Sequence, residues 1–212
     1  MISFKLFDIP VRVQPWFWIT LALIGGAIRA DTKEAVFAIL LFMIAGFVSI
    51  LVHEMGHALT AKYYGKKVHI VLQAFGGYAA YSGGAPLSRS QSFLITAAGP
   101  AIQILLGIVV WVVAGRFEQI NPQAAHFLGV LIWISFVWAI LNLLPVLPLD
   151  GGRLLETMLG PQRIQLTLKI CISVAATIAI LSLLLKIGII LPVFMGFMAY
   201  ENYKALKQES WR

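Results

Sequence analysis

The sequence predicts an all-α membrane protein, a bundle of about six transmembrane helices with a small membrane-associated β-hairpin region. Hydrophobic residues make up 60% of the 212 residues and charged residues only 12%, and the mean hydropathy is +0.88. A soluble domain carries about 25% charged and about 45–50% apolar residues. The length fits one polytopic domain over residues 1–212 and leaves no room for a separate soluble domain.

Uncharged apolar runs of roughly 20 residues, the length that crosses a bilayer, define the helices. The predicted spans lie at approximately 16–30, 35–64, 93–115, 124–144, 165–185 and 187–203. The first run is short and contains two glycines. The stretch 166–200 is interrupted by Lys186, Gly188 and Pro192, so we interpret it as two spans. Five spans are the alternative.

Residues 69–88 do not fit a transmembrane helix. They combine β-branched and aromatic residues with Gly76, Gly77, Gly83 and Gly84, a pattern that predicts short strands joined by turns. The segment is too apolar for an ordinary exposed loop. We therefore expect a hairpin that dips into the bilayer, with its backbone groups paired or facing a wet cavity.

The distribution of basic residues predicts the orientation in the membrane. With six spans and a cytoplasmic N-terminus, twelve of the sixteen Lys and Arg lie on the cytoplasmic side. Those twelve are Lys5, Arg12, Lys62, Lys66, Lys67, Arg89, Arg153, Arg163, Lys169, Lys204, Lys207 and Arg212. The other side keeps Arg29, Lys33, Arg116 and Lys186. This positive-inside bias predicts that both termini are cytoplasmic.

The N-terminal segment 1–16 has no long apolar region, so we interpret it as a mature juxtamembrane segment and not as a secretory signal. The net charge of +7 is not arranged as a basic stripe with interleaved aromatics, which excludes nucleic acid as the expected partner. The single cysteine, Cys171, cannot form an internal disulfide and is predicted to be a small buried hydrophobe.

The motif HEMGH, residues 53–57, is the strongest chemical signal. Two histidines at positions i and i+4 of a helix share one face, with Cβ atoms about 5–6 Å apart, and can bind one zinc ion. His53 and His57 are then metal ligands, and Glu54 takes the proton of a water on the metal. Lys62 follows His53 by nine residues, about 14 Å along a helix, which predicts a site below the cytoplasmic surface. The alternative is a polar cluster that merely marks the boundary between lipid and water.

A catalytic zinc ion typically has three protein ligands and one open position. Asp150 is the predicted third ligand, because the fourth span ends on the same side as HEMGH. There Pro145 and Pro148 break the helix, and unwound chain at membrane depth must line a cavity, where a carboxylate needs a partner. The alternative is that Asp150 caps a helix that begins near Arg153.

Other side chains are weaker candidates for the third ligand. His69 lies in a basic loop, and His126 begins the fourth span on the opposite side. In a second type of HExxH membrane protease the third ligand is a glutamate on a later helix; Glu156 and Glu201 are the only candidates, and neither lies in a matching motif. A zinc carrier or an inactive protease relative is the non-enzymatic alternative, although a carrier needs polar ligands on several spans.

Four motifs together resemble the site-2 protease family of intramembrane zinc metalloproteases, in a compact form without a PDZ or CBS domain. They are HEMGH (53–57), FGGY (75–78), AAGP (97–100) and NLLPVLPLDGG (142–152). The likeness covers roughly residues 4–163. Gln103 departs from it, because many members have Asn there, and its role is left open. We expect Gly99 and Pro100 to serve a helix kink and close packing.

The resemblance implies one zinc ion held by His53, His57 and Asp150, with Glu54 as the catalytic glutamate. Asn142 matches an asparagine that assists near the metal or the substrate. Gly76 and Gly77 match a segment that presents an edge strand to an unwound substrate. These three are the predicted substrate-binding residues.

The resemblance also implies the substrates and the place of action. The expected activity is endopeptidase cleavage of transmembrane segments in single-pass, membrane-anchored proteins, as in regulated intramembrane proteolysis, or the removal of leftover signal peptides. The compact chain favours a prokaryotic cell membrane. The lipid bilayer is the other expected partner.

Overall fold

The computed structural model describes residues 1–115 and 122–209, so Arg116 and Arg212 of the charge count lie outside the described residues. The strands are β1 (Ile2–Leu6), β2 (Ile9–Val13), β3 (Lys67–Gln73) and β4 (Gly76–Ser82). The helices are α1 (Pro15–Ile24), α2 (Lys33–Tyr63), α3 (Arg89–Ala114), α4 (Pro122–Asn142), α5 (Asp150–Leu159), α6 (Ile164–Leu184) and α7 (Ile190–Glu209). The chain forms two compact units: Met1–Leu87 with Ala97–Ala139, and Ser88–Thr96 with Ile140–Arg212.

Among the described residues, four helices are long and apolar enough to cross a membrane. They are α2, α3, α4 and the stretch Pro161–Leu184 that contains α6. The prediction of a helical membrane protein with a small sheet is confirmed, whereas the count of six spans is not. α1 has only 10 residues, about 15 Å of helix, and ends at Gly25 and Gly26, where Gly26 has φ 94°. α7 has 20 residues but carries four charged ones in its second half.

In the first unit, α2 is the longest element, and both of its ends have recognisable signals. Thr32 caps its N-terminus, accepting a hydrogen bond from the Ala35 amide at 3.1 Å. Glu34 lies in the first turn and Lys62 in the last, as the helix dipole favours. Its 31 residues make about 46 Å of helix, more than the roughly 30 Å of hydrocarbon in a bilayer.

The four strands form one sheet in the order β1-β2-β3-β4. β1 and β2 are antiparallel, β2 and β3 parallel, and β3 and β4 antiparallel, with Val71 opposite Tyr78. The predicted strands within 69–88 are therefore confirmed as β3 and β4. The N-terminal segment was interpreted only as juxtamembrane chain, and its hairpin was not predicted. Alternate residues Ile9, Val11 and Val13 are buried, which is the two-residue period of a half-buried strand.

Contacts with α2 fix the position of the sheet in the first unit. Ile9, Val11, Val13, Ile70 and Leu72 pack in one core with residues of α2 that include Ile50, Met55 and Ala58. The Lys62 ammonium donates to the Phe7 carbonyl at 2.9 Å, which ties the turn between β1 and β2 to the end of α2. β4 is an edge strand of this sheet.

In the second unit, α4 ends at Asn142 and α5 begins at Asp150. The interval contains both prolines, as expected from a broken helix. α6 and α7 pack against each other, and the Asn202 amide of α7 donates to the Leu147 carbonyl at 2.7 Å. Lys186 and Gly188, with φ 53° and 97°, lie in the turn between α6 and α7, so the stretch 166–200 is two helices.

Candidate active site

HEMGH lies in the last third of α2, and its three polar side chains are buried. His53, Glu54 and His57 are 3%, 5% and 8% exposed. The helical spacing brings the two rings together, with centroids 4.7 Å apart and planes at 81°. The two Nε2 atoms are 3.1 Å apart. Two ring nitrogens thus converge on one point, with a buried glutamate on the same stretch of helix.

The distance between the two Nε2 atoms fits a shared zinc ion. Zinc bonds to histidine nitrogen at about 2.0–2.1 Å in tetrahedral geometry, which places two such nitrogens about 3.3–3.4 Å apart. The observed 3.1 Å is close to that separation. His53 and His57 therefore have the donor type and the spacing of a zinc site.

α3 packs against both histidines through two residues one turn apart. A Cβ atom built on Gly99 would lie 2.3 Å from His57 Nε2, so only glycine allows this approach. Gln103 is fully buried, and its Oε1 is 2.9 Å from His53 Nδ1. The close packing expected of Gly99 is therefore a contact with a predicted metal ligand.

A chain of buried hydrogen bonds continues from Gln103. Its Nε2 donates to Ser49 Oγ at 2.9 Å and lies 3.4 Å from the Ser49 carbonyl. Ser49 Oγ is 3.0 Å from Ser135 Oγ of α4. Neither serine was singled out from the sequence, and the role of Gln103 was left open. A signal for all three residues was present in the sequence, because each is a polar residue on an otherwise apolar span. Polar residues are costly at such positions and are usually functional.

The glycines predicted at the hairpin are close to the site in the first unit. A Cβ on Gly77 would lie 2.8 Å from Glu54 Cγ and 3.0 Å from its Oε1, so the start of β4 lies against the Glu54 side chain. Gly76 has φ 122°, which favours glycine, and a Cβ built on it would lie 3.1 Å from the Trp138 ring. An edge strand thus begins beside the predicted catalytic glutamate.

Asp150 and Asn142 lie in the second unit. Asn142 is the last residue of α4, and Asp150 is the first residue of α5 after Leu149, which is the N-cap residue. The expected alternative, a helix that begins near Arg153 with Asp150 as its cap, is wrong because α5 begins at Asp150 itself. Asp150 is half-buried.

Two glycines allow α5 to begin where it does. A Cβ on Gly151 would lie 2.1 Å from the Leu143 carbonyl oxygen, and one on Gly152 would lie 2.4 Å from the Leu147 nitrogen. The first turn of α5 therefore packs directly on the backbone of the proline-containing loop. This contact fixes the direction of the first turn of α5, which includes Asp150, relative to the loop.

The four weaker candidates for the third ligand lie on β3, α4, α5 and α7. His69 lies on β3 and is exposed, and His126 is exposed in the second turn of α4. Glu201 forms an ion pair with Lys204 at 3.2 Å. Glu156 is half-buried in α5.

Comparisons with known proteins agree on one family. The model of peptidase family M50 matches residues 41–120 and 117–186. A zinc metalloprotease of Methanocaldococcus jannaschii is 30% identical to this chain over an alignment of 215 residues, gaps included. The alignment covers 98% of this chain and 61% of that protein. Stage IV sporulation protein FB of Bacillus subtilis is 27% identical, over 92% of this chain and 66% of that protein.

The structural comparison gives the same result. The site-2 protease from Methanocaldococcus jannaschii has a TM-score of 0.65 and 28% identity, covering 96% of this chain and 94% of that chain. The chain spans less than two thirds of the length of these two curated relatives, 61% and 66%.

The chain belongs to peptidase family M50, the zinc metalloproteases that include the site-2 proteases. The two matched ranges together contain both HEMGH and NLLPVLPLDGG. The resemblance predicted from these motifs is therefore confirmed.

Proposed function

We propose that this protein is an intramembrane zinc endopeptidase that hydrolyses peptide bonds within the transmembrane segments of membrane-anchored proteins. The observation that carries the proposal is the convergence of two buried histidine nitrogens, 3.1 Å apart, beside buried Glu54 in a helix able to cross a membrane. Ionisable groups at such a place are costly and are retained for function. The relatives are named zinc metalloprotease and site-2 protease, which agrees with this chemistry.

His53 and His57 hold the zinc ion through Nε2, and Asp150 is the third ligand. Support for Asp150 comes from the matched family motif and from its place after a broken helix end. When bound, zinc acidifies a water molecule and polarises the scissile carbonyl. Glu54 accepts the proton of the attacking water and delivers it to the leaving amine, so that water and one peptide bond give one carboxylic acid and one amine.

Substrate is held in extended form along β4. β4 is an edge strand, and its backbone can accept a further strand, which leaves a helical substrate unwound and its peptide bonds accessible. Gly77 leaves room for Glu54 beside this strand, and Gly76 makes the turn that leads into it. Asn142, at the end of α4, contributes a polar contact near the metal or the substrate.

The protein crosses the membrane six times, with α1 and α7 joining the four long helices, and both termini are cytoplasmic. The twelve-to-four distribution of basic residues supports this orientation. The active site then lies below the cytoplasmic surface of a prokaryotic cell membrane. Single-pass membrane proteins are the substrates.

Replacing the proposed base tests the proposal directly. Glu54→Gln should retain zinc and lose cleavage of a model transmembrane substrate by about 10²–10⁴-fold, the usual contribution of acid–base catalysis. Glu34→Gln, an exposed glutamate in the first turn of the same helix, is the matched control and should cleave normally. Substrate and products are followed by mass spectrometry in proteoliposomes, and zinc by elemental analysis.

Full activity of Glu54→Gln would end the proteolysis proposal. If the wild-type protein bound zinc but cleaved no transmembrane substrate, a zinc carrier or an inactive protease relative would replace it. Peptides released by the wild type and absent with Glu54→Gln would identify the bond that is cut.

A further inference from the structure

We propose that Gln103 is a positioning residue that fixes the tautomer of His53, and that Ser49 and Ser135 fix the orientation of the Gln103 amide. The inference deepens the proposed function and rests on it, because the tautomer matters to catalysis only if His53 binds zinc. It assigns a role to three polar side chains on α2, α3 and α4, none of which belongs to the HEMGH motif.

The Ser49 carbonyl determines which end of the Gln103 amide faces which neighbour. A carbonyl oxygen can only accept a hydrogen bond, and it lies 3.4 Å from Gln103 Nε2. A flipped amide would place its own oxygen against this carbonyl, and the two acceptor atoms would then face each other with no hydrogen atom between them. The NH2 group therefore faces Ser49, and Oε1 faces His53.

The orientation of the amide determines the tautomer of His53. Oε1 can only accept, so His53 Nδ1, at 2.9 Å, must donate. The neutral ring then carries its single proton on Nδ1 and has a lone pair on Nε2. That Nε2 is the atom 3.1 Å from His57 Nε2, where the metal is proposed to bind. Gln103 thus keeps the proton away from the ligand atom and supports its basicity.

The two serines complete the hydrogen bonding of this chain. The Ser49 hydroxyl accepts from Gln103 Nε2 at 2.9 Å and is left with its own hydrogen, which can be donated to Ser135 Oγ at 3.0 Å. Ser49, Gln103 and Ser135 are each 0% exposed. Water cannot replace a lost partner here, so a flipped amide is costly and one orientation is favoured.

Histidine tautomers can be measured without zinc. The test uses the metal-free full-length protein with 15N-labelled histidine, about two pH units above the usual histidine pKa of about 6.5. His69→Gln and His126→Gln remove the two exposed histidines, so only the two site histidines give signals. We expect one of them, His53, to show a protonated Nδ1 and an unprotonated Nε2.

Substitutions at Gln103 then separate positioning from packing. Gln103→Met, similar in length and unable to accept from Nδ1, should give mixed tautomers. Gln103→Glu, as a neutral acid with its O–H toward Ser49, retains an acceptor toward His53 and should keep Nδ1 protonated. Thr167→Val is the matched control, since it removes another fully buried polar group whose hydrogen bond runs to the Arg163 carbonyl. It should leave the tautomer unchanged.

Zinc affinity, measured by competition with a chelator, is the second readout. Loss of such a support to a metal ligand typically weakens binding by about 10–100-fold, which we expect for Gln103→Met. Gln103→Glu should bind zinc within the wild-type range, and so should Thr167→Val. If Gln103→Met does not fold, Ser49→Ala keeps Gln103 but removes its hydroxyl partner, and part of the His53 population should carry its proton on Nε2.

Two results would overturn the inference. One is a His53 ring protonated at Nε2 in the metal-free wild type. The other is a Gln103→Met protein that binds zinc as tightly as Thr167→Val. A wild type with the expected tautomer that binds no zinc would instead overturn the proposed function while leaving the positioning of His53 by Gln103 in place.

Discussion

At the scale of single residues, Gly99 is the position with the least room for change beside the metal site. An alanine there would place Cβ 2.3 Å from His57 Nε2, so the histidine or the helix must move. We expect Gly99→Ala to lower peptidase activity by about 100-fold, the usual effect of misplacing a catalytic group by about 1 Å. Gly129→Ala, where nothing lies within 4 Å, should cleave normally in the same assay. Equal activities would show that His57 tolerates the shift.

Asp150 is the residue whose role as a ligand most needs a direct measurement. Asp150→Asn removes the charge with little change in size, and we expect zinc retention through purification to fall well below that of the wild type. Asp31→Asn, an exposed aspartate before α2, is the control. The measurement is zinc per protein by elemental analysis. Unchanged zinc would return the third ligand to His69 or Glu156.

Sequence spacing predicted only those contacts within the site that are local in the chain. His53, Glu54 and His57 are within one turn of one helix, so the i, i+4 rule alone places both rings on one face. Gly99 and Gln103 meet the histidines because α3 packs against α2 with a particular rotation. Nothing in the order of residues specifies that rotation, so sequence reasoning predicted a kink and close packing at Gly99 and left the role of Gln103 open.

At the scale of elements, the first turn of α5 depends on the absence of a side chain at Gly151. A Cβ there would lie 2.1 Å from the Leu143 carbonyl oxygen, and backbone cannot yield as a side-chain end can. We expect Gly151→Ala to destabilise the protein by about 1–3 kcal/mol, as overpacking does. Thermal unfolding in detergent measures the change. Gly196→Ala in α7, with open space at the same atom, should unfold near the wild-type temperature.

Apolar runs predicted the positions of the helices closely, because the hydrocarbon core of a bilayer sets the length and the apolar composition of a helix that crosses it. The predicted span 35–64 compares with α2 at Lys33–Tyr63, and 165–185 with α6 at Ile164–Leu184. The N-terminal hairpin was missed because its strands have five residues each. Its partner in the sheet is also distant in sequence, since Val11 pairs with Ile70. Short strands that depend on a distant partner leave little periodicity to detect.

At the scale of the whole molecule, the predicted resemblance to the site-2 protease family is confirmed, and it could be predicted because both motifs are short and contiguous. The number of membrane crossings is harder, because α1 has 10 residues and α7 carries Glu201, Lys204, Lys207 and Glu209. Hydropathy alone does not determine whether such helices cross. The charge bias favours the proposed six crossings, because basic residues generally remain on the cytoplasmic side.

Cysteine labelling decides between six spans and fewer. Cys171 is fully buried, and Cys171→Ala gives a background without cysteine. In that background we expect Asp31→Cys and Lys186→Cys to react with an impermeant maleimide on intact cells, because the six-span orientation places both outside. Ser3→Cys and Lys207→Cys should react only after permeabilisation. All four positions are exposed, so access to the reagent is set by the membrane and not by burial in the fold.

Each contrary result identifies the helix responsible. Labelling of Ser3→Cys from outside, with Asp31→Cys also outside, would show that α1 does not cross. Labelling of Lys207→Cys from outside together with Lys186→Cys would show the same for α7. If Asp31→Cys reacted only after permeabilisation, α2 would run in the opposite direction, and HEMGH would lie toward the outer surface. The zinc site would then keep its local geometry, but substrates would be cut near the other face of the membrane.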